Sequence, residues 1–291
     1  MSGAYESPTH NSKSFQDWYI DPECTQKFIL ENAAESITVY AKWGRMVDPI
    51  MKTYSYSTST DYHQYKDEIT KVTFLDTYEL PDNFDITTGK GPWDVSAAGN
   101  TSVMAYMVGT EVFICSNVGE PANIMAEKTR YLFKDFTVMT EVANADKLDT
   151  SKVTDMDSMF YNCPSLTTID VSNWDTSKVT DMSSMFYNTY STPGLLTTLD
   201  VSNWNTSSVT DMYRMFNYCA NLVALNTTNW DTSKVTGMSG MFYGCENLTT
   251  IDVSNWDTSK VTTMSDMFGY CESLITLDTS NWNTTNVTTM S

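Results

Sequence analysis

Histidine is nearly absent from this sequence, which contains only His10 and His63. Because both lie in the N-terminal quarter, the chain offers no plausible Ser-His-Asp or Cys-His arrangement. Carboxylates are plentiful, but they recur regularly, whereas an active site is normally a single irregular pocket. The cysteines of the C-terminal half lie far in sequence from both histidines, which argues against a zinc site. We therefore expect no enzymatic activity, no cofactor and no metal centre.

Basic residues are also scarce, since 17 Lys and Arg stand against 36 Asp and Glu, for a formal net charge of -19. Nucleic acid and anionic membrane surfaces both attract clustered Lys and Arg, so this charge excludes them as partners. No apolar run approaches the length of a membrane span. The first residues, MSGAYESPTH, also lack the basic start and apolar core of a signal peptide.

The sequence instead contains a regular repeat. The segment VTDMDSMFYNC at 153–163 recurs with variation in four further copies, which begin at Val179, Val209, Val235 and Val261. The copies are 26, 30, 26 and 26 residues apart, and such a period predicts an array of stacked units that bury their apolar faces against one another. The four extra residues fall near Pro193, where we expect a loop. A sixth copy breaks off at Ser291, so we expect the chain to be a piece of a larger protein.

Each repeat predicts one short strand and one turn of helix. Residues 166–171 follow the pattern L-x-x-L-x-L, the strand signature of leucine-rich repeats, whose alternate positions face outward on a parallel sheet. Residues 183–188 predict a single helical turn with Ser183 as its N-cap. Met182, Met185 and Phe186 would then lie on one side of that turn. We expect these residues to form a second core, the alternative being an exposed Met-rich groove.

Four cysteines occupy one position of successive repeats: Cys163, Cys219, Cys245 and Cys271. Equivalent residues on neighbouring units would lie about 5 Å apart, which nearly permits disulfides. A free cysteine nevertheless behaves as a small apolar residue. We therefore predict a column of buried, reduced thiols.

The repeats resemble a known family. The phrase LTTIDVSNWDTSKVTDMSSMF at 166–186 is similar to the BspA-like leucine-rich repeats of bacterial surface proteins. The resemblance extends over about residues 60–291, because Lys71–Phe74, Trp93–Ala98 and Ser102–Tyr106 resemble that family's leader. Independently, VMAYMV and EVFICS on either side of Gly109-Thr110 predict a β-hairpin.

The N-terminal region resembles a second family. Residues 15–43, which end in ITVYAKW, resemble the second half of a Listeria-Bacteroides repeat, a β-grasp-like module of bacterial surface proteins. The predicted organisation is a partial module over 1–45 and a β-rich N-terminal cap over 46–130. An α/β, β-rich, right-handed leucine-rich repeat solenoid with a 26-residue period follows over 131–291, truncated at its C-terminus.

The outward strand positions are the first candidate ligand-binding surface. They include Asp170, Thr198, Asp200, Ala224, Asn226, Thr250, Asp252 and Asp278. Stacked aspartates repel one another, and a basic ligand would relieve that repulsion; a solvated acidic face and a calcium site are the alternatives. The third repeat breaks the pattern at Ala224 and Asn226 and also carries Tyr213 and Arg214, so we expect binding near it.

A column of tryptophans is the second candidate surface. Its members are Trp174, Trp204, Trp230, Trp256 and Trp282. If exposed, these indoles would form an aromatic strip suited to sugar rings or an extended peptide. If half-buried, they would seal the turns between repeats, which is the commoner use of an indole.

These resemblances together imply an extracellular bacterial cell-surface protein whose anchor and signal peptide lie outside this chain. The function we predict is that of an adhesin fragment, which binds a protein or glycan of a host or of neighbouring bacteria through the strand face, without catalysis and without inserting into a membrane. The alternative is a structural stalk that projects another domain and has no ligand of its own.

Overall fold

The computed structural model describes residues 14–19, 40–44, 50–52, 61–80, 84, 87, 90–97, 99–118 and 122–290. The strands are β1 (Ser14–Tyr19), β2 (Tyr40–Gly44), β3 (Ile50–Met51), β4 (Lys71–Leu75), β5 (Trp93–Asp94), β6 (Val103–Val108), β7 (Glu111–Ser116), β8 (Ile124–Ala126), β9 (Glu141–Ala143), β10 (Leu148–Asp149), β11 (Thr168–Ile169), β12 (Ala224–Leu225) and β13 (Thr250–Ile251). Short 3-10 helices lie at Tyr62–Tyr65 and Ala145–Lys147. Within these residues, no helix combines the length and apolar character needed to cross a membrane.

The largest sheet is mixed and has the strand order β11-β9-β4-β7-β6-β5. β4 pairs in parallel with both β7 and β9, whereas β6 pairs antiparallel with β5 and β7. The hairpin predicted around Gly109 is confirmed, because Val108 pairs with Glu111 and Gly109 takes the positive φ of +61° that a two-residue turn requires. Val72, Phe74 and Ile114 of this sheet are fully buried.

This sheet continues into the repeats. β9 pairs in parallel with β11 of the first repeat, and β12 of the third repeat pairs in parallel with β13 of the fourth. We number the repeats one to five from Val153, Val179, Val209, Val235 and Val261. A second column of single parallel bridges joins Asp155, Asp181, Asp211, Gly237, Thr263 and Thr289. Consecutive repeats therefore stack in register, and we call residues 153–290 the repeat stack.

Met and Phe side chains form one part of the core of the repeat stack, beside buried Val, Leu, Ile, Trp and Cys side chains. Met182, Met185, Met238 and Met241 are fully buried, so the alternative of an exposed Met-rich groove is wrong. The phenylalanine rings of successive repeats lie nearly parallel, with ring centroids 5.5 Å apart between Phe216 and Phe242. Each ring therefore packs on the next one and closes the interior of the stack.

The predicted helical turn at 183–188 does not form. Ser184 has a φ of +53°, and the same slot is left-handed in the neighbouring repeats, at Ser158, Arg214 and Gly240. A right-handed helix cannot pass through such a residue. The backbone N–H groups of Ser184 and Phe186 instead donate to carbonyls of the next repeat, Tyr213 and Met215. Hydrogen bonding between repeats thus replaces hydrogen bonding along a helix.

The predicted α/β right-handed leucine-rich solenoid is therefore wrong as a fold class. The described residues form strands, turns and short 3-10 helices but no α-helix, and the main sheet is mixed. The predicted partial module at 1–45 lies mostly outside the described residues, as do His10 and Cys24. In its described part, β1 pairs antiparallel with β2.

Candidate functional site

The outward strand positions are exposed in every repeat. A shallow depression of about 390 Å³ lies on this strand face, lined by Ala224, Asn226, Thr250, Asp252 and Thr276, with the buried Leu225 and Ile251 below. Other repeats have Thr at the position of Ala224. The depression therefore exists where the third repeat replaces Thr by the smaller Ala.

The strand-face aspartates are held by their own repeats. Asp200 accepts hydrogen bonds from the N–H and hydroxyl of Ser202, at 3.0 and 2.6 Å, and Asp252 accepts the same pair from Ser254. The bond from the Ser254 hydroxyl is the main reason that the pKa of Asp252 is lowered, and the charge of Asp278 opposes this effect. These carboxylates are consequently fixed in place, ionised and exposed to solvent.

The tryptophan column is not an exposed strip. Trp174, Trp204, Trp230 and Trp256 are buried, and only Trp282 of the last repeat is half-buried. The Trp204 indole N–H donates to the carbonyl of Val171 in the preceding repeat at 3.1 Å. Because neighbouring indoles stack, for example Trp230 on Trp256 at 6.0 Å, they seal the repeats. The exposed-strip interpretation is wrong for the four buried indoles.

Three of the four repeat cysteines are buried, as the repeat pattern predicted. Cys163, Cys219 and Cys245 are buried free cysteines, as predicted, whereas Cys271 is half-buried. The Cys245 thiol donates to the carbonyl of Phe216 at 3.2 Å. Burial raises the pKa of Cys219 to about 12. This column is therefore inert packing.

The structure contains a second column of aspartates that the repeat pattern had not indicated as a candidate site. Asp155, Asp181 and Asp211 of the V-T-D-M segments lie on successive repeats, joined by the parallel bridges. Burial raises the pKa of Asp155 and of Asp211. Arg130 pairs with Asp157 at 2.7 Å at one end of this column. Within the described residues, no His, Cys, Asp or Glu side chains are grouped so as to hold a metal ion.

Arg214 does not lie on the strand face. It lines a separate cavity of about 440 Å³ together with Tyr187, Tyr213, Tyr218 and Tyr243, and we call this the tyrosine cavity. The Arg214 guanidinium lies 4.9 Å from the ring centroid of Tyr213 and 5.9 Å from that of Tyr187. The structure thus separates Arg214 from the strand-face residues with which the sequence analysis had grouped it.

A local exchange of residues creates this cavity. Repeats two and four have Tyr187 and Tyr243 at the same position, but the third repeat has Asn217 there and places Tyr218 one residue later. Gly244 leaves room for the displaced ring, since a Cβ at Gly244 would lie 2.5 Å from Cδ1 of Tyr218. The sequence signals of this site were Tyr213 and Arg214, which were noted but assigned to the strand face, and the inversion from Tyr-Asn to Asn-Tyr, which was not noted.

Comparison with known families covers the same region. A family described as "Mycoplasma protein of unknown function, DUF285" matches residues 127–224 and 219–291, together more than half of the chain. The chain belongs to this family. The DUF285 match begins in the turn after β8 and includes the repeat stack, the strand face and the tyrosine cavity. No curated protein matches the chain, and no solved structure matches it.

Proposed function

We propose that this protein is a non-catalytic, extracellular ligand-binding protein of the adhesin type. Its strand face would bind a protein or glycan of a host or of a neighbouring bacterium. The resemblance to BspA-like surface repeats supports the extracellular, bacterial setting.

The depression between Asn226 and Asp252 is the observation that carries this proposal. It lies on a broad, regular surface whose outward side chains take no part in the core. The carboxylates of Asp200 and Asp252 flank the third repeat, and both are exposed and held by serines. A ligand with basic groups would therefore meet fixed negative charge within the recess, at Asp252, and on the neighbouring second repeat, at Asp200.

The test is adhesion of the protein to an array of extracellular-matrix proteins and glycans, at low and at high salt. Binding through this face should weaken as salt rises, because charged groups at the rim of an interface govern encounter rate and salt dependence. The double variant Asp200→Asn with Asp252→Asn should reduce binding and flatten its salt dependence.

The chain contains a matched control for this experiment. Asp175 and Asp257 are exposed aspartates of the first and fourth repeats, and each accepts a hydrogen bond from its own serine, Ser177 or Ser259, at 2.9 Å. They follow the tryptophans and lie away from the depression. Asp175→Asn with Asp257→Asn removes the same net charge and should leave binding intact. Equal effects of the two double variants, or no binding anywhere on the array, would reject the strand face and favour a stalk.

A further inference from the structure

We propose that the tyrosine cavity is a second binding site, which takes a carboxylated sugar unit of an acidic glycan. This site shares no lining residue with the strand-face depression. It therefore does not depend on the function proposed for that face. Its volume of about 440 Å³ falls in the range of small-molecule pockets.

The first reason is the Arg214 guanidinium, a positive charge that is exposed on a strongly acidic protein. Arg214 is exposed and is the only arginine after residue 130. Within the described part of the chain it forms no ion pair, although Asp266 lines the same cavity; its guanidinium instead lies over the rings of Tyr213 and Tyr187. A guanidinium binds a carboxylate through two parallel N–H···O bonds, and stacking on rings orients its plane. The cavity therefore presents a partly ordered receptor for one carboxylate.

The second reason is the aromatic lining. Tyr187 is buttressed by Tyr161 of the first repeat, with ring centroids 4.6 Å apart and an interplanar angle of 6°. Tyr218 and Tyr243 meet edge to face at 5.4 Å. Tyrosine combines an apolar ring with a hydroxyl, so these rings suit a ligand that has both C–H faces and hydroxyl groups, as a pyranose has.

The third reason distinguishes a sugar from a peptide. The lining consists of tyrosine, serine, asparagine, glycine, arginine and aspartate, without one aliphatic side chain. A peptide partner would be anchored by apolar side chains in a desolvated pocket, whereas Met212 and Met215 of the third repeat are buried in the core and do not line the cavity. Hydroxyls such as those of Ser239 and Ser265 instead suit a ligand rich in hydroxyl groups.

The glycines of the fourth repeat show that this geometry is built into the sequence. A Cβ at Gly240 would lie 3.2 Å from Cγ of Arg214 and 3.3 Å from Nδ2 of Asn217. Gly240 therefore leaves space for the Arg214 stem, as Gly244 does for the Tyr218 ring. The third repeat supplies the side chains, and the fourth repeat supplies the space that they occupy.

The experiment measures by calorimetry the binding of three acidic oligosaccharides, which are oligogalacturonate, a hyaluronan hexasaccharide and sialyllactose, each paired with its own methyl ester. At least one acidic member should bind, and its partner without the carboxylate should bind at least tenfold more weakly. Arg214→Gln should weaken the acidic ligand at least tenfold, and Arg214→Lys should restore only part of that loss because lysine lacks the planar fork. A poly-glutamate peptide should not bind.

Controls separate this site from the strand face. The pair Asp200→Asn with Asp252→Asn should leave calorimetric binding of the acidic oligosaccharide to the tyrosine cavity unchanged. Arg214→Gln should leave adhesion through the strand face unchanged. Unaltered thermal unfolding of Arg214→Gln excludes a folding defect. The proposal is overturned if acidic and neutral members bind equally, if none binds, if Arg214→Gln has no effect, or if poly-glutamate binds as well as the glycans.

Discussion

At the scale of single residues, burial in the repeat stack determines both the reactivity of the cysteines and their packing. The Cys219 thiol donates to the carbonyl of Phe186 at 3.2 Å, and Cys245 and Cys271 make the same contact with Phe216 and Phe242. A cysteine buried in this way is a small core residue that also satisfies one carbonyl.

We predict that these thiols are unreactive in the native protein. Burial raises the pKa of Cys219 to about 12 and that of Cys271 to about 11, and only the thiolate reacts. As the pH is raised from 7 to 9, the rate of labelling with an aromatic disulfide reagent should increase in urea-unfolded protein. In native protein the rate should remain low over the same range. Among the cysteines of the repeats, peptide mapping should find Cys271 labelled first, because it is half-buried. Rapid native labelling of Cys219 or Cys245 would contradict the buried column.

The phenylalanine column provides a second prediction at this scale. Phe242 is fully buried, with its ring 5.5 Å from Phe216 and 5.3 Å from Phe268. Phe242→Ala should lower the free energy of unfolding by about 3–5 kcal/mol, the range for emptying a buried aromatic position. Phe268→Ala is the matched comparison and should cost less, because Phe268 is only partly buried. Equal losses in urea titrations would show that the column is not a continuous core.

At the scale of the element, the left-handed residues of the turns decide the fold. Asp135, Asn162, Tyr218, Gly244 and Tyr270 all have positive φ at one turn position. This conformation raises the free energy of non-glycine residues, and the hydrogen bonds to the next repeat offset that cost. The turn is therefore stable only within the stack.

Alanine substitutions at two glycines distinguish the cost of backbone strain from the cost of a steric clash. Gly109 and Gly244 have φ values of +61° and +74°; a Cβ at Gly109 meets nothing within 4 Å, whereas one at Gly244 would lie 2.5 Å from Tyr218. Gly109→Ala should lower the free energy of unfolding by about 1–2 kcal/mol through strain alone. Gly244→Ala should cost more, and Gly244→Ala with Tyr218→Ala should recover part of that difference. Equal losses for both single variants would show that the Tyr218 ring moves freely.

Features that depend on the repeat period could be predicted from the sequence. The column of buried thiols follows from the period and is found at Cys163, Cys219 and Cys245, whereas Cys271 is half-buried. The hairpin at Gly109 was predicted instead from the strand-like runs on either side of it, and it is found. The turn at 183–188 was predicted incorrectly, because the i, i+3, i+4 spacing of Met182, Met185 and Phe186 fits a helix as well as a stacked turn. Only the neighbouring repeat, which accepts the backbone hydrogen bonds, distinguishes the two. The position of Arg214 depends on side chains of three repeats, and no single-repeat pattern contains that information.

At the scale of the whole molecule, each repeat depends on its neighbours for burial. Ile251 and Trp256 of the fourth repeat are 8% and 2% exposed. Leu277 and Trp282, which follow one period later, are only partly buried against the core. The stability of such a stack is approximately a sum of repeat and interface contributions.

Addition of one repeat should therefore stabilise the protein. A copy of residues 266–291 attached after Ser291 continues the period and should cover Leu277, Trp282 and Val287. These side chains are already partly buried, so each should contribute less than the roughly 1.5–3 kcal/mol of a side chain that goes from exposed to buried. Urea titrations should show a higher midpoint and a steeper slope, because more surface is exposed on unfolding. A tail of equal length with serine at its apolar positions should change neither quantity. An unchanged midpoint with the intact copy would contradict additive stacking.

The hydrogen bonds between repeats also have a mechanical consequence. The N–H of Thr210 donates to Thr180 and that of Thr236 donates to Thr210, so these bonds connect each repeat to the one before it. A tensile load on the C-terminal end strains the bonds of one repeat at a time rather than all of them together. Each 26-residue repeat that peels away releases about 90 Å of extended chain. Under load the protein should lengthen in increments of about 90 Å, with a longer increment of about 100 Å for the 30-residue second repeat. When the load falls, each repeat can refold on the intact edge of its neighbour.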